Sequence, residues 1–410
     1  MLSRRHVLTG ASSGALLAGT NLLPRLARAA GAPLVTGLPP GEYDTAVLDA
    51  LPGKRPLIKL SYRPPNYETP LSYFSTEITA NDAFFVRYHL ADIPLSIDAQ
   101  KWRLRVGGEA AASPFELSLA DLQTGFPQAE ITAVCQCSGN RRGLSDPHVP
   151  GVQWGIGAMG NAVWRGVRLK DVLAKAGLRA DALELVLNGA DGPVLAKTPD
   201  FVKSIPVWKA LDENVMIAHS MNGAPLPHWN GAPARLIVPG WTATYWTKHI
   251  VSIDAVTKPF DGFWMKSAYR IPTGKFPVID RFISQETPAN TPITEIVVNS
   301  LITAPNDGAK HKVGTPVEIR GIAWDGGYGI ARVEISADGG KSWREAQLGK
   351  DGGRFSFRSW TYRFVPAKPG STSIIAKASN RAGQTQAEAL IFNPAGYHNN
   401  VPRPVTIVAA

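Results

Sequence analysis

The sequence predicts an α+β domain followed by an all-β sandwich. Three observations carry that prediction. Between residues 70 and 270, short strand-like and helix-like runs follow one another without regular alternation, which argues against a doubly wound parallel sheet. Around residues 285–292 the composition shifts to Gln, Thr, Pro and Asn, as in a linker. Beyond it, Asp-Gly-Gly recurs at Asp325, Asp338 and Asp351 between apolar runs, which punctuates short strands with turns. The 410 residues suffice for two or three domains, and 44% hydrophobic with 19% charged residues is a globular composition.

From the start, Arg4 and Arg5 precede a weakly apolar stretch at residues 10–23, and Ala27-Arg28-Ala29 offers a small-residue cleavage site. The run is too short and too interrupted by Gly and Ser for a spanning helix, so residues 1–30 read as a signal peptide. Paired arginines favour the twin-arginine route to the periplasm, with an ordinary secretory signal as the alternative. No membrane span is expected after cleavage. The four arginines of this segment face no acid, so its removal takes the net charge from +10 down by four to +6. A surface of that sign attracts anions or an acidic partner. No Lys/Arg-rich run or recognition helix is present, which excludes nucleic acid.

Residues 31–75 are proline-rich and read as extended chain wrapping the first domain. Residues 83–90, Ala-Phe-Phe-Val-Arg-Tyr-His-Leu, predict a strand. Its Arg87 and His89 belong either on the solvent face of an edge strand or in a functional site where partners offset their burial. Trp102, Leu104 and Val106 alternate with Arg103 and Arg105, as in a half-buried strand. Ser118-Leu-Ala-Asp121 starts a helix, residues 169–176 form another ended by Gly177, and residues 183–187 form a buried strand.

The most informative stretch is 131–143, Ile-Thr-Ala-Val-Cys-Gln-Cys-Ser-Gly-Asn-Arg-Arg-Gly. A β-like run brings Cys137 to a turn at Ser138-Gly139-Asn140, and Arg141 and Arg142 follow. Thiolate is a soft metal ligand that nearby cations help to ionise, and guanidinium forks suit oxyanions. The same pattern also fits a strand end with a buried cysteine and solvated arginines. The chain has two cysteines, Cys135 and Cys137, and their i, i+2 spacing is too tight for ordinary disulfide geometry. We read Cys137 as the functional thiolate and Cys135 as packing. In the second domain, residues 317–324, 331–336, 355–364 and 372–378 predict strands, and their spacing suggests an immunoglobulin-like sandwich.

Cys-Ser-Gly-Asn-Arg-Arg, then Gly151-Val-Gln-Trp-Gly, then Trp164-Arg-Gly-Val-Arg-Leu-Lys-Asp-Val-Leu, resemble the molybdenum domain of the sulfite oxidase family. The likeness continues through residues 203–212, 221–227, 234–240 and 246–248 and covers most of 70–405. It implies domains at 1–30, 31–290 and 291–410: signal peptide, molybdopterin-binding catalytic domain, and a dimerisation-type sandwich. It implies a molybdenum–molybdopterin cofactor with Cys137 as the protein's metal ligand. It also implies that Phe85, Val86, Arg87, Tyr88 and His89 lie at the cofactor, with Asp200, Asn230, Arg235, Trp246, Thr247 and Lys248 as further pterin contacts. Arg235 and Lys248 would hold its phosphate. Arg87, Arg142, Tyr269 and the more distant Arg403 are the implied catalytic residues. Asn230 and Ala268 stand where animal members carry a histidine and an acid.

The implied activity is oxidation of sulfite to sulfate, with electrons leaving to a separate c-type cytochrome, because no Cys-x-x-Cys-His haem attachment motif occurs. A homodimer or a heterodimer would fit. Within the family, a sulfane dehydrogenase subunit or a molybdopterin-dependent reductase is the alternative. Outside it, a non-catalytic periplasmic binding protein would carry no molybdenum.

Overall fold

The computed structural model describes residues 47–276 and 288–410. The expected signal segment and the start of the proline-rich stretch lie outside these residues, as do residues 285–287 of the expected linker; its end is not free chain, since Asn290–Pro292 is a strand paired antiparallel with Arg270–Pro272. Strands dominate and helices are few and short. Among the described residues no helix is long and apolar enough to cross a membrane.

Three sheets of four or five strands build the first part, beside a two-stranded pair, Arg270–Pro272 with Asn290–Pro292. Strands Gln128–Gln136 and Met159–Arg168 pair antiparallel along their whole lengths, and Met216–Met221 continues the sheet. A second sheet runs Lys203–Pro206, Glu184–Gly189, Ile250–Val256, Leu104–Gly107, Phe115–Leu117, in which Ile250–Val256 and Leu104–Gly107 lie parallel. The alternation of Leu104 and Val106 with exposed Arg103 and Arg105 places its apolar face on the core, as the period of two requires. A third, smaller sheet joins Val47–Asp49, Leu57–Ser61, Asn66–Glu68 and Val86–Arg87.

The two longest helices keep their predicted ends. Leu119–Thr124 has a full capping box between Ser118 and Asp121, and Leu169–Ala176 stops at Gly177, whose φ of 65° suits glycine. The run 83–90 departs from expectation: its strand is confined to Val86–Arg87. Phe84, Phe85, Val86 and Tyr88 are all buried, so the segment has no solvent face on which an edge strand could alternate. It is instead a buried connection.

In the second part, Asn299–Ala304, Val317–Trp324, Arg358–Phe364 and Gln347–Leu348 form one sheet. The other contains Ala309–His311, Val405–Ala409, Gly370–Asn380, Ile330–Ser336 and Arg344–Glu345. Val317, Ile319 and Trp360 from the first meet Val333, Ile335, Ile374 and Ala376 from the second in one apolar core. A separate cluster joins the two parts: Phe74, Val134, Ile156 and Met159 pack with Ile296, Ile322, Trp324 and Phe357. Within it the Trp324 indole donates to Gln136 Oε1 at 2.6 Å, one residue before Cys137.

Candidate functional site

Strand Gln128–Gln136 delivers Cys137 to a turn anchored by its own N–H, which donates to Ala158 at 2.9 Å. The thiol lines an open cleft whose free space, measured out to solvent, is about 620 Å³. Three further segments close around it: the buried connection with Phe84, Phe85, Arg87 and His89; the stretch Asn230 to Lys248; and Tyr269.

The cleft is cationic. Arg87, Arg235 and Lys248 line it against one carboxylate, Asp191. Arg235 is fully enclosed, with Nη1 on Asn230 O at 2.9 Å and Nη2 on Trp246 O at 3.0 Å, while its Nε has no partner. The Thr244 hydroxyl, also on the wall, is likewise buried and unpaired. Lys248 donates to Arg87 O at 2.8 Å, and burial pushes its amine down to about 8. Arg87 donates from Nη1 to Asn66 Oδ1 at 3.0 Å and to the Tyr88 carbonyl.

His89 and Tyr269 hydrogen-bond to each other through Nε2 and the phenol oxygen. The imidazole stacks flat on Phe201, with ring centres 3.6 Å apart. Burial holds it well below its ordinary value, and Arg87, Lys248, Lys203 and Arg142 push the same way, so His89 is neutral. Tyr269 is raised chiefly by burial, against the lowering pull of Arg87 and Arg142. Its φ of 58° is unusual for a bulky residue.

Phe85, Arg87, His89, Asn230, Arg235, Trp246, Thr247, Lys248, Tyr269 and Cys137 therefore come together. The other expected site residues stand elsewhere. Val86 and Tyr88 are buried with Leu51, Leu57 and Tyr67, and the Tyr88 hydroxyl meets His249 Nε2 at 2.7 Å. Asp200 accepts from Asn188 Nδ2 at 2.9 Å, and Asp191 rather than Asp200 is the carboxylate on the wall. Arg142 stands behind the wall, donating to Ala395 O at 2.7 Å and Val152 O at 3.1 Å, with its guanidinium over the Tyr397 ring. Arg403 is half-buried and does not line the cleft.

Cys135, read from sequence as packing, also lines the cleft. Its sulfur is 3.9 Å from Arg235 Nη2, yet burial pushes the thiol up to about 11, so it stays protonated. Both cysteines are free. Phe201, Thr244 and Asp191 carried no motif that sequence reasoning could have used.

Among the described residues no group of three His, Cys, Asp or Glu side chains could hold a metal ion. A metal at Cys137 must therefore bring most of its own ligands, as a pterin dithiolate does. The donor set fits that group: one thiol, buried cations for a phosphate, and the unpaired Arg235 Nε and Thr244 hydroxyl waiting on the wall.

Residues 90–264 match the oxidoreductase molybdopterin binding domain family, and 290–409 match the Mo-co oxidoreductase dimerisation domain. These matches and the cleft define an oxidoreductase-type molybdopterin-binding domain joined to a dimerisation domain. Mitochondrial sulfite oxidase of Rattus norvegicus is 33% identical over 85% of this chain, which spans 65% of that relative's length. Sulfite oxidase of Arabidopsis thaliana is 31% identical over 85% of this chain and 91% of the plant protein. Among solved structures, the sulfane dehydrogenase SoxCD from Paracoccus pantotrophus superimposes with a TM-score of 0.72 at 27% identity, covering 84% of this chain and 85% of that one. The chain belongs to the sulfite oxidase family.

Proposed function

We propose that this chain is a periplasmic sulfite dehydrogenase, exported by the twin-arginine route, that passes electrons to a c-type cytochrome. The observation carrying this reading is the Cys137 thiol lining a cleft walled by Arg87, Arg235 and Lys248, suited to a small dianion beside a ligand-bearing metal. When bound, the molybdenum cofactor supplies oxygen-atom transfer and takes up two electrons. Cys137 is its protein ligand. Arg235 and Lys248 grip the pterin phosphate, with Phe85, Asn230, Trp246 and Thr247 around the ring system.

Arg87 draws the anion in and orients it. The His89–Tyr269 pair offers a hydroxyl proton toward the cleft, the neutral imidazole holding the phenol in place. Arg142 adds positive potential from behind the wall. Val86, Tyr88 and Asp200 support the walls rather than touch the cofactor, and Arg403 has the weakest case among the catalytic candidates. The second domain is read as an immunoglobulin-like sandwich that joins two chains.

Oxidation of a sulfane-type substrate is the second reading, favoured by the likeness to SoxCD. Steady-state assays with sulfite and cytochrome c, beside thiosulfate and nitrate, separate the two. Sulfite turnover with one molybdenum per chain is expected. Cys137→Ser should abolish turnover and Cys135→Ser should leave most of it. Equal losses from both variants would remove Cys137 from its assigned role, and turnover of thiosulfate alone would favour the second reading.

A further inference from the structure

Lys203 opens the strand Lys203–Pro206 and is fully buried. Among the described residues it has no carboxylate partner. Its amine donates to Trp264 O at 2.7 Å and stands over two aromatic faces, Tyr245 at 4.7 Å and Tyr269 at 5.1 Å from the ring centres. Burying an amine without a counter-charge is costly, so filling this space alone would be better done by an apolar chain of similar length. Burial holds the amine well below its ordinary value, with Arg270 adding to the effect. In either charge state its N–H groups can donate to a carbonyl and to ring faces.

These contacts bracket a strained place. Trp264 belongs to the one-turn helix Phe263–Lys266, and Tyr269 follows it at a φ of 58°. A tyrosine keeps that conformation only where its surroundings impose it. The Trp264 ring packs against His89 at 5.2 Å and Phe201 at 5.1 Å, so both ends of this short segment bear on the imidazole that meets the Tyr269 hydroxyl. Lys203 ties the two ends together from beneath. Tyr397 stacks on Tyr269 with ring centres 5.6 Å apart.

We propose that Lys203 is a positioning residue for Tyr269: by holding the Trp264 carbonyl and the phenol ring together, it fixes the Tyr269 hydroxyl against His89 at the cleft. The assignment rests on the reading above that Tyr269 serves the reaction.

The test uses purified, molybdenum-loaded enzyme. Lys203→Met should lower kcat about tenfold, the scale of one desolvated amine contact, while KM stays within about twofold and molybdenum content is unchanged. In a Tyr269→Phe background the same substitution should cost nothing further, because the hydroxyl it positions is gone. Lys203→Gln, which keeps a donor, should recover part of the loss. Independently of substrate, enzyme containing 3-fluorotyrosine shows a 19F line that Tyr269→Phe removes; that line should broaden or shift in Lys203→Met. An equal kcat loss in both backgrounds, or an unmoved 19F line, would overturn the proposal. If wild-type enzyme fails to oxidise sulfite, the function proposed above fails, and the 19F line still decides the role of Lys203.

Discussion

Arg142 is held as much by the bareness of its surroundings as by its charge. A Cβ on Gly139 would lie 2.6 Å from the guanidinium carbon, and one on Gly151, already at a φ of 120°, would lie 2.8 Å from Nη1. The glycine of the Cys-Ser-Gly-Asn-Arg-Arg run thus makes room for a planar cation seated on backbone carbonyls. Gly139→Ala must push the guanidinium off Ala395 O and Val152 O. Losing such charge-assisted bonds costs about 2 kcal/mol, so we expect a lower melting temperature with Cys137 still competent to bind molybdenum. A variant that melts like wild type would show that Arg142 relocates freely. Its neighbour Arg141 is different: fully buried at a φ of 67°, it donates to Ser300 O at 2.7 Å and Val401 O at 3.2 Å. Adjacent arginines with one sequence signature thus hold different parts of the chain.

At the scale of single elements, the parts legible in sequence are those whose causes are local. The Ser118 cap, the Gly177 stop, the alternation around Leu104 and the Asp-Gly-Gly turns each depend on residues within a turn or two. Ser118→Ala should remove the cap of Leu119–Thr124 and cost ~1 kcal/mol, readable by chemical denaturation, with the kinetics of the proposed reaction unchanged. A change in KM would tie that helix to the cleft. The stretch 83–90 reads locally as a longer strand than Val86–Arg87 because its partners are distant. Lys54 donates to Phe84 O at 3.0 Å and to Asn230 Oδ1 at 2.5 Å across 176 residues, and the Asn230 amide returns to Phe85 O at 3.1 Å. No local pattern encodes such contacts. The same holds for Asp191, whose place on the wall depends on a long loop, whereas Cys137, Arg87 and Lys248, which line the cleft, sit inside stretches that carry the family likeness.

For the whole molecule, burial of basic groups sets how stability follows pH. His249 and His398 are pushed from 6.5 down to about 3, and Lys54 from 10.5 down to about 7, in each case chiefly by burial. Each depressed base binds its proton more weakly folded than unfolded. Stability therefore falls as pH drops from about 6.5 toward 3, and rises again between about 7 and 10.5 as the fold releases the Lys54 proton first. The raised carboxyls of Asp191 and Asp325 act oppositely just above 3.8. Tyr67, pushed up to about 12, reverses the gain above 10. Lys248, held down to about 8, adds to the alkaline rise, and Cys135, held up to about 11, opposes it from pH 9, so cofactor-free protein should melt highest near pH 9–10 by differential scanning fluorimetry and Lys54→Met should reduce the alkaline rise. A steady decline from pH 7 upward would contradict this. The anchoring of the Cys137 turn carries a different consequence. Arg141 is tied to Val401, and Asn399 Nδ2 donates back to the Arg141 carbonyl at 3.1 Å. Val401 lies 260 residues downstream of Arg141, so during synthesis the loop that presents the thiol waits, unfinished, until the ribosome has passed through the second domain.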